Sequence, residues 1–345
     1  MSCQVDGEVG GTLQVYCNGP GDILRVRCPM RLGAGRRLDG RFSIAVSMSR
    51  HILIRLGAGG VAALLISVTL AAQAAERTLY VSVFDQKTRA PITGLTTRDF
   101  VVKEDGAARE VLRVAPATSP MPIAVIVDNS QAADDTIPDL RKALAAFMRE
   151  IDGVGPVALI TVADRPTVVR DYTTDQKQKQ LQDAAGRIFS TPQSGATLLD
   201  AIVEVSRGLE KREGDRAAMV LVTTENVEHS TRYHRDVLDA LQKSGAMLYA
   251  LVLTSPGGTS LNEEARNRAA VLDQGPKTTG GMRVDVVTSL GYEGRLQEIA
   301  KILKSQHQVI YARPQRLLPP EKIEVTAAKA GLVAAGAPAR GQAIR

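Results

Sequence analysis

The sequence predicts an α/β chain: a doubly wound, mostly parallel sheet with one antiparallel edge strand, plus a small β module from the N- and C-terminal flanks. Three observations carry this. The runs Ile123-Ala124-Val125-Ile126-Val127 and Met219-Val220-Leu221-Val222 are continuously apolar and rich in β-branched residues, as strands buried on both faces are. Beyond residue 122 such runs alternate with segments of helical period, the order of a doubly wound domain. In the flanks, short runs alternate apolar with polar residues, the pattern of half-buried strands.

Taken in order, residues 1–47 are rich in Gly and Arg and are read without helical or strand period, so they are expected to be disordered or a mis-assigned start. Residues 48–75 have the layout of a secretory signal peptide. Met48 opens a basic segment with Arg50 and Arg55, an apolar stretch runs from Leu56 to Ala72, and Ala72-Gln73-Ala74 supplies a small-x-small cleavage pattern near Ala74. The competing reading is an uncleaved anchor, but the stretch is short for a bilayer and carries Gly57, Gly59 and Gly60. The expected location is secreted or periplasmic.

The β module spans 76–116, with Leu79–Phe84 as a strand. Asp105-Gly106 marks a hairpin between Phe100–Lys103 and Glu110–Val114, through a loop somewhat longer than two residues. Residues 117–122 form a stiff, Pro-rich linker. The α/β domain then covers 123–313. Strands are expected near 123–128, 157–162, 167–170, 218–223, 247–253 and 308–312, and helices near 137–151, 176–189, 198–211, 231–244 and 294–305. Residues 314–335 are expected to add a β hairpin to the N-terminal module, and 336–345 to be a disordered tail.

Composition limits the function. The 345 residues include 44% hydrophobic but only 3% aromatic residues and no Trp, so the core must be aliphatic. The net charge of +6 is uneven: residues 1–75 carry 8 Lys/Arg against 4 Asp/Glu, leaving 35 against 33 in the rest. A balanced surface without basic clusters excludes nucleic acid as the expected partner. All three cysteines lie at positions 3, 17 and 28, so the chain beyond the signal segment has no disulfide and no thiol nucleophile.

Polar residues follow the buried strands, where open α/β sheets bind ligands. Asp128-Asn129-Ser130-Gln131 ends the first strand, and Glu225-Asn226 follows the strand 218–223. Ser194-Gly195-Ala196-Thr197 delivers a hydroxyl to a helix start. Each has a structural alternative: an Asx turn at Asp128, a capping box of Thr197 with Asp200, a solvated loop carboxylate at Glu225.

Together these segments resemble the metal-ion-dependent adhesion site of von Willebrand factor type A (VWFA or VWA) domains, a Rossmann-like family. That family places Asp-x-Ser-x-Ser after its first strand, a Thr before a helix, and Asp-Gly after its fourth strand. Here Ala132 replaces the second Ser and Glu225-Asn226 replaces Asp-Gly, so the site is degenerate. The pair 157–162 and 167–170 matches the family's antiparallel edge, and 308–312 its last strand. Val83, Asp85, Gly94, Leu95, Asp99, Phe100, Glu104, Asp105 and Gly106 also match the leading segment of a VWFA-related exported family of acidobacterial type.

The resemblance implies a divalent ion, Mg²⁺ or another, on Asp128, Ser130, Thr197 and Glu225. Octahedral Mg²⁺ tolerates missing ligands poorly, so binding there is expected to be weak or absent and no cofactor is assigned. The expected function is non-enzymatic recognition of a protein partner by a rim of Asp128, Asn129, Ser130, Gln131, Thr197, Glu225 and Asn226. The membrane enters only through the signal segment, if uncleaved. The alternatives are a metal-dependent hydrolase using Asp128 and Glu225, or a structural scaffold of the envelope. No nucleophile elbow, phosphate loop or dinucleotide fingerprint is present. His229 and His234 lie about 140° apart on a helix and share no face for a metal.

Overall fold

The computed structural model describes residues 2–9, 12–18 and 26–28, and from residue 74 onward all but 174–177, 226–227, 255–261, 315–317 and 343–345. The signal segment before Ala74 and the expected rim residue Asn226 therefore lie outside the described residues. The chain divides into two units, residues 1–68 and 69–345. In the first, β1 (Ser2–Val9), β2 (Thr12–Asn18) and β3 (Val26–Cys28) form an antiparallel sheet. This corrects the expectation that residues 1–47 lack strands. β1 and β2 pair in register from Ser2↔Asn18 to Val9↔Thr12.

The second unit begins with β4 (Ala74–Asp85), β5 (Phe100–Glu104), β6 (Ala107–Arg109) and β7 (Val111–Pro116). There follow β8 (Ile123–Asp128), α1 (Ile137–Glu150), β9 (Val157–Val162), β10 (Pro166–Thr173), α2 (Gln178–Gly186), α3 (Leu198–Glu210) and β11 (Ala217–Thr224). Next come α4 (His234–Ser244), β12 (Ala246–Leu253), α5 (Glu263–Thr278), β13 (Met282–Val286) and α6 (Tyr292–Lys304). The chain closes with β14 (His307–Pro314), β15 (Ile323–Ala327) and β16 (Leu332–Pro338). Among the described residues no helix is long and apolar enough to cross a membrane.

The central sheet has the order β10-β9-β8-β11-β12-β13, with β10 antiparallel and the other five parallel. β8, β9, β11 and β12 are buried on both faces, and alternation divides their side chains between two cores. Ile123, Val125 and Val127 pack with α1 and α6 residues such as Leu144, Phe147 and Leu296. Ala124 and Ile126 face Leu198, Ile202 and Leu241 from α3 and α4, with Val271 and Leu272 from α5. Polar residues at the C-terminal ends of these strands therefore emerge along one edge.

The flanks make two more sheets, β16-β4-β14-β7 and β15-β5-β6, enclosing Leu79, Val81, Val83, Phe100, Val102 and Tyr311. Four expectations are corrected here. The loop between β5 and β6 has two residues, Asp105 and Gly106, both at positive φ, and Glu104 pairs with Ala107. The chain then leaves that sheet, so Val111–Pro116 pairs with β14 instead. The strand near 308–312 is not the last strand of the α/β sheet: β14 lies between β4 and β7, while β13 takes the edge beside β12. Residues 323–338 are not a hairpin, because β15 pairs with β5 and β16 with β4. Nor does the chain fray at 336: β16 continues to Pro338, and the Arg340 side chain donates to the carbonyls of Ser244 and Leu209.

The 117–122 segment is anchored as well as stiff. Arg216 donates to the carbonyls of Ser119 and Ala117 and to the Gln306 side chain, and Met121 is fully buried.

Candidate functional site

Parallel strands and right-handed connections bring the loops after β8, β9, β11, β12 and β13 to one edge of the sheet. Asp128 ends β8 with its carboxylate buried. Oδ1 accepts from the backbone N–H of Ser130 at 3.0 Å and from the Ser130 hydroxyl at 2.7 Å. This is the Asx turn the sequence allows. Oδ2 accepts from the Thr223 hydroxyl at 3.0 Å, because Val222 pairs with Val127 and sets Thr223 beside Asp128.

A guanidinium closes the arrangement. Arg268 extends from α5 with only 3% of its side chain exposed, and its Nη2 stands 3.8 Å from Asp128 Oδ2. Nη2 also donates to the Thr223 hydroxyl at 2.6 Å and to the Thr224 carbonyl. On the other side Nη1 lies 3.4 Å from Oε2 of Glu228, which is fully buried. Burial raises the Glu228 carboxyl above its ordinary value, against the pull of Arg268 and of hydrogen bonds from Ser230. One buried cation thus faces two buried carboxylates on different loops.

The remaining expected residues are placed as follows. Asn129 donates from its amide to the Phe189 carbonyl at 2.9 Å and to Thr191 Oγ1 at 3.2 Å, tying the first loop to the segment before α3. Gln131 Oε1 accepts from the Gln193 N–H at 2.9 Å. Thr197 sits at the N-cap of α3, but its hydroxyl donates to the Ala163 carbonyl at 3.0 Å instead of capping the helix, which corrects the capping-box reading. Asp200 instead pairs with Arg232 at 2.7 Å. Glu225 points along the edge toward β13 and meets Arg283 at 3.5 Å.

These contacts test the divalent-ion assignment, and the donor set does not fit. Asp128 Oδ1 is taken up by the Ser130 turn, Oδ2 accepts from Thr223 and faces the Arg268 guanidinium at 3.8 Å, a cation already beside the carboxylate, and Ala132 offers no oxygen ligand. Glu225 is held by a different arginine from Asp128, so the two do not form one acid–base pair either. Among the described residues no group of three or more His, Cys, Asp or Glu side chains is placed to hold a metal.

Beside Ser130 the edge opens into a cavity of about 440 Å³ lined by Gln131, Gln193, Ser194, Gly195 and His229. His229 is pinned by its N–H on the Ala196 carbonyl at 2.9 Å, and its ring lies so close to Gly195 that a Cβ there would stand 2.3 Å away. Large exposed apolar side chains occur on the same loops: Phe189 at 66%, Tyr233 at 61%, Val287 at 81% and Leu290 at 80%.

Sequence reasoning missed Arg268, Glu228 and Gln193, and it set His229 on a helix with His234, whereas α4 begins at His234 and His229 lies in the loop before it. The signal for Arg268 is its position: Ala265, Arg268, Leu272 and Gly275 share the buried face of α5 at helical spacing.

Residues 123–273 match the family model of the von Willebrand factor type A domain. This stretch is what the chain shares with that family. Solved structures similar in fold include a von Willebrand factor type A protein from Catenulispora acidiphila, at 13% identity over 78% of this chain and 73% of that one, with a TM-score of 0.43. An aerotolerance-related membrane protein from Bacteroides fragilis NCTC 9343, bearing multiple mutations to serine, aligns at 16% identity over 52% and 99%, TM-score 0.41. The conserved hypothetical protein BatB from Bacteroides thetaiotaomicron aligns at 18% identity over 54% and 100%, TM-score 0.40. A comparison with curated protein sequences gives no match.

Proposed function

We infer that this chain is an exported, non-enzymatic binding protein whose type A domain recognises a protein partner through the loops at the C-terminal edge of its sheet. The observation that carries this reading is the cavity beside Ser130, lined by Gln131, Ala132, Gln193, Ser194, Gly195 and His229. Hydroxyl, amide and imidazole groups beside small residues suit hydrogen bonding to a polypeptide. The exposed Phe189, Tyr233, Val287 and Leu290 on neighbouring loops add the apolar and aromatic area that protein interfaces use. Export rests on the signal-like segment 48–75. Binding at this rim proceeds by shape and hydrogen bonds, not through a metal-bridged carboxylate.

The test is capture from an envelope extract by the full chain, followed by cross-linking to locate the contact. Gly195→Ala pushes the His229 ring out of the cavity, and Tyr233→Ala removes an exposed ring at the same edge. Both are expected to lose the captured partner, whereas Leu112→Ala, an exposed residue on β7, keeps it. Equal capture by all three variants, or cross-links confined to the flanking sheets, would leave a scaffold without a working rim.

A further inference from the structure

We propose that Arg268 is the built-in cation of this rim: its guanidinium does structurally what a bound divalent ion would do, which makes the rim independent of metal. The proposal rests on the rim reading above and concerns what holds that rim in shape. Two chain segments that are distant in sequence meet at this one side chain. Asp128 comes from the end of β8, Thr223 and Thr224 from the end of β11, and Glu228 from the loop that follows. Side-chain exposure is 1% at Asp128, 0% at Glu228 and 3% at Arg268, so water contributes little to balancing their charges. Buried carboxylates need a partner charge, and among the described contacts Arg268 serves both.

The guanidinium suits this task for geometric reasons. Its planar fork sends Nη1 toward Glu228 and Nη2 toward Asp128 and Thr223, while Nε has no hydrogen-bond partner among the described residues. A short ammonium could not span both carboxylates. The anchoring atom is carried by α5, so the cation is fixed by the helix's apolar face, where Val271 and Leu272 are buried. The Ala196↔Glu228 bridge then passes the constraint to Gly195 and His229, which line the cavity. Being buried, this cation cannot reach a carboxylate of the partner, which leaves recognition to the neutral groups of the cavity.

Thermal unfolding of the full chain, followed by tyrosine fluorescence, tests this without any partner, so its outcome is read separately from the capture experiment. The wild-type midpoint is expected to be the same in EDTA and in Mn²⁺, Mg²⁺ or Ca²⁺; a midpoint that rises with one of these ions and falls with EDTA overturns the proposal. Arg268→Met strands two buried carboxylates and is expected to lower the midpoint by about 10 °C, far more than Arg266→Met on the same helix. The triple variant Asp128→Asn, Glu228→Gln, Arg268→Met has no charge to balance and is expected to recover much of that loss. No recovery would mean that Arg268 acts by packing alone and would sink the idea. The triple variant and the wild-type titration remain decisive if Arg268→Met fails to fold.

Discussion

Replacing Asp128 probes the centre of the rim most sharply, and the structure sets both the size and the order of the effects. At 3.8 Å and an effective dielectric of about 20, the attraction between Asp128 and Arg268 is about 4 kcal/mol before desolvation is subtracted. Asp128→Ala removes that attraction and leaves the N–H and hydroxyl of Ser130 and the hydroxyl of Thr223 without their acceptor in a dry interior. Each orphaned donor costs about 1 kcal/mol or more, while removal of the carboxylate also ends its own desolvation penalty. The net expectation is a loss of about 4 kcal/mol, typical of breaking a buried ion pair. Asp128→Asn keeps an oxygen for both Ser130 donors and turns an amide toward Thr223 and Arg268, so about 2 kcal/mol is expected. Urea unfolding read by near-ultraviolet circular dichroism reports on this core through Tyr249 and Tyr292, both buried. A shifted midpoint with unchanged slope identifies a stability effect. The reasoning fails if Asp128→Ala loses less than about 1 kcal/mol, or if Asn proves worse than Ala.

Other consequences follow from the same structure. Burial raises the Glu228 carboxyl, so the folded protein holds that proton at a pH where the unfolded chain has released it; this group's contribution to stability declines as pH rises through and above the usual carboxylate range. Glu228→Gln is expected to flatten that part of a stability–pH profile, and an unchanged slope would count against it. Burial lowers His307 against an opposing hydrogen bond with the Val81 backbone; its Nδ1 has no partner among the described residues and its ring packs on Phe100 at 5.8 Å. Its contribution is intact above about pH 6.5 and is lost as pH falls below it, so His307→Leu should reduce acid sensitivity in a thermal scan across that range. Gly280 has φ +71° and would place a Cβ 2.1 Å from the Gly336 carbonyl; Gly280→Ala is expected to cost at least about 3 kcal/mol in urea unfolding.

Much of this fold is legible in the sequence because buried parallel strands need continuous apolar runs, and Ile123–Val127 and Met219–Val222 have them. The flanks are harder to read. Glu110 marks where the chain changes sheets, and nothing in its neighbours distinguishes that step from a simple hairpin. β14 resembles a closing strand by composition, yet only long-range pairing with β4 and β7 decides where it belongs. α5 is hidden by Gly275-Pro276, which reads as a helix breaker although the helix continues to Thr278. The rim is half legible: Asp128, Asn129, Ser130, Gln131 and Thr197 follow from strand ends and a helix start. Arg268 does not, since a charge on a helix is ordinarily solvated, and its burial is decided by two carboxylates far from it in sequence.

The most direct measurement is an anomalous difference map from crystals of the full chain grown with Mn²⁺. The account predicts electron density for the Arg268 guanidinium between Asp128 and Glu228 and no manganese peak there. A manganese peak bonded to Asp128 and Ser130, with Arg268 turned away, would contradict it.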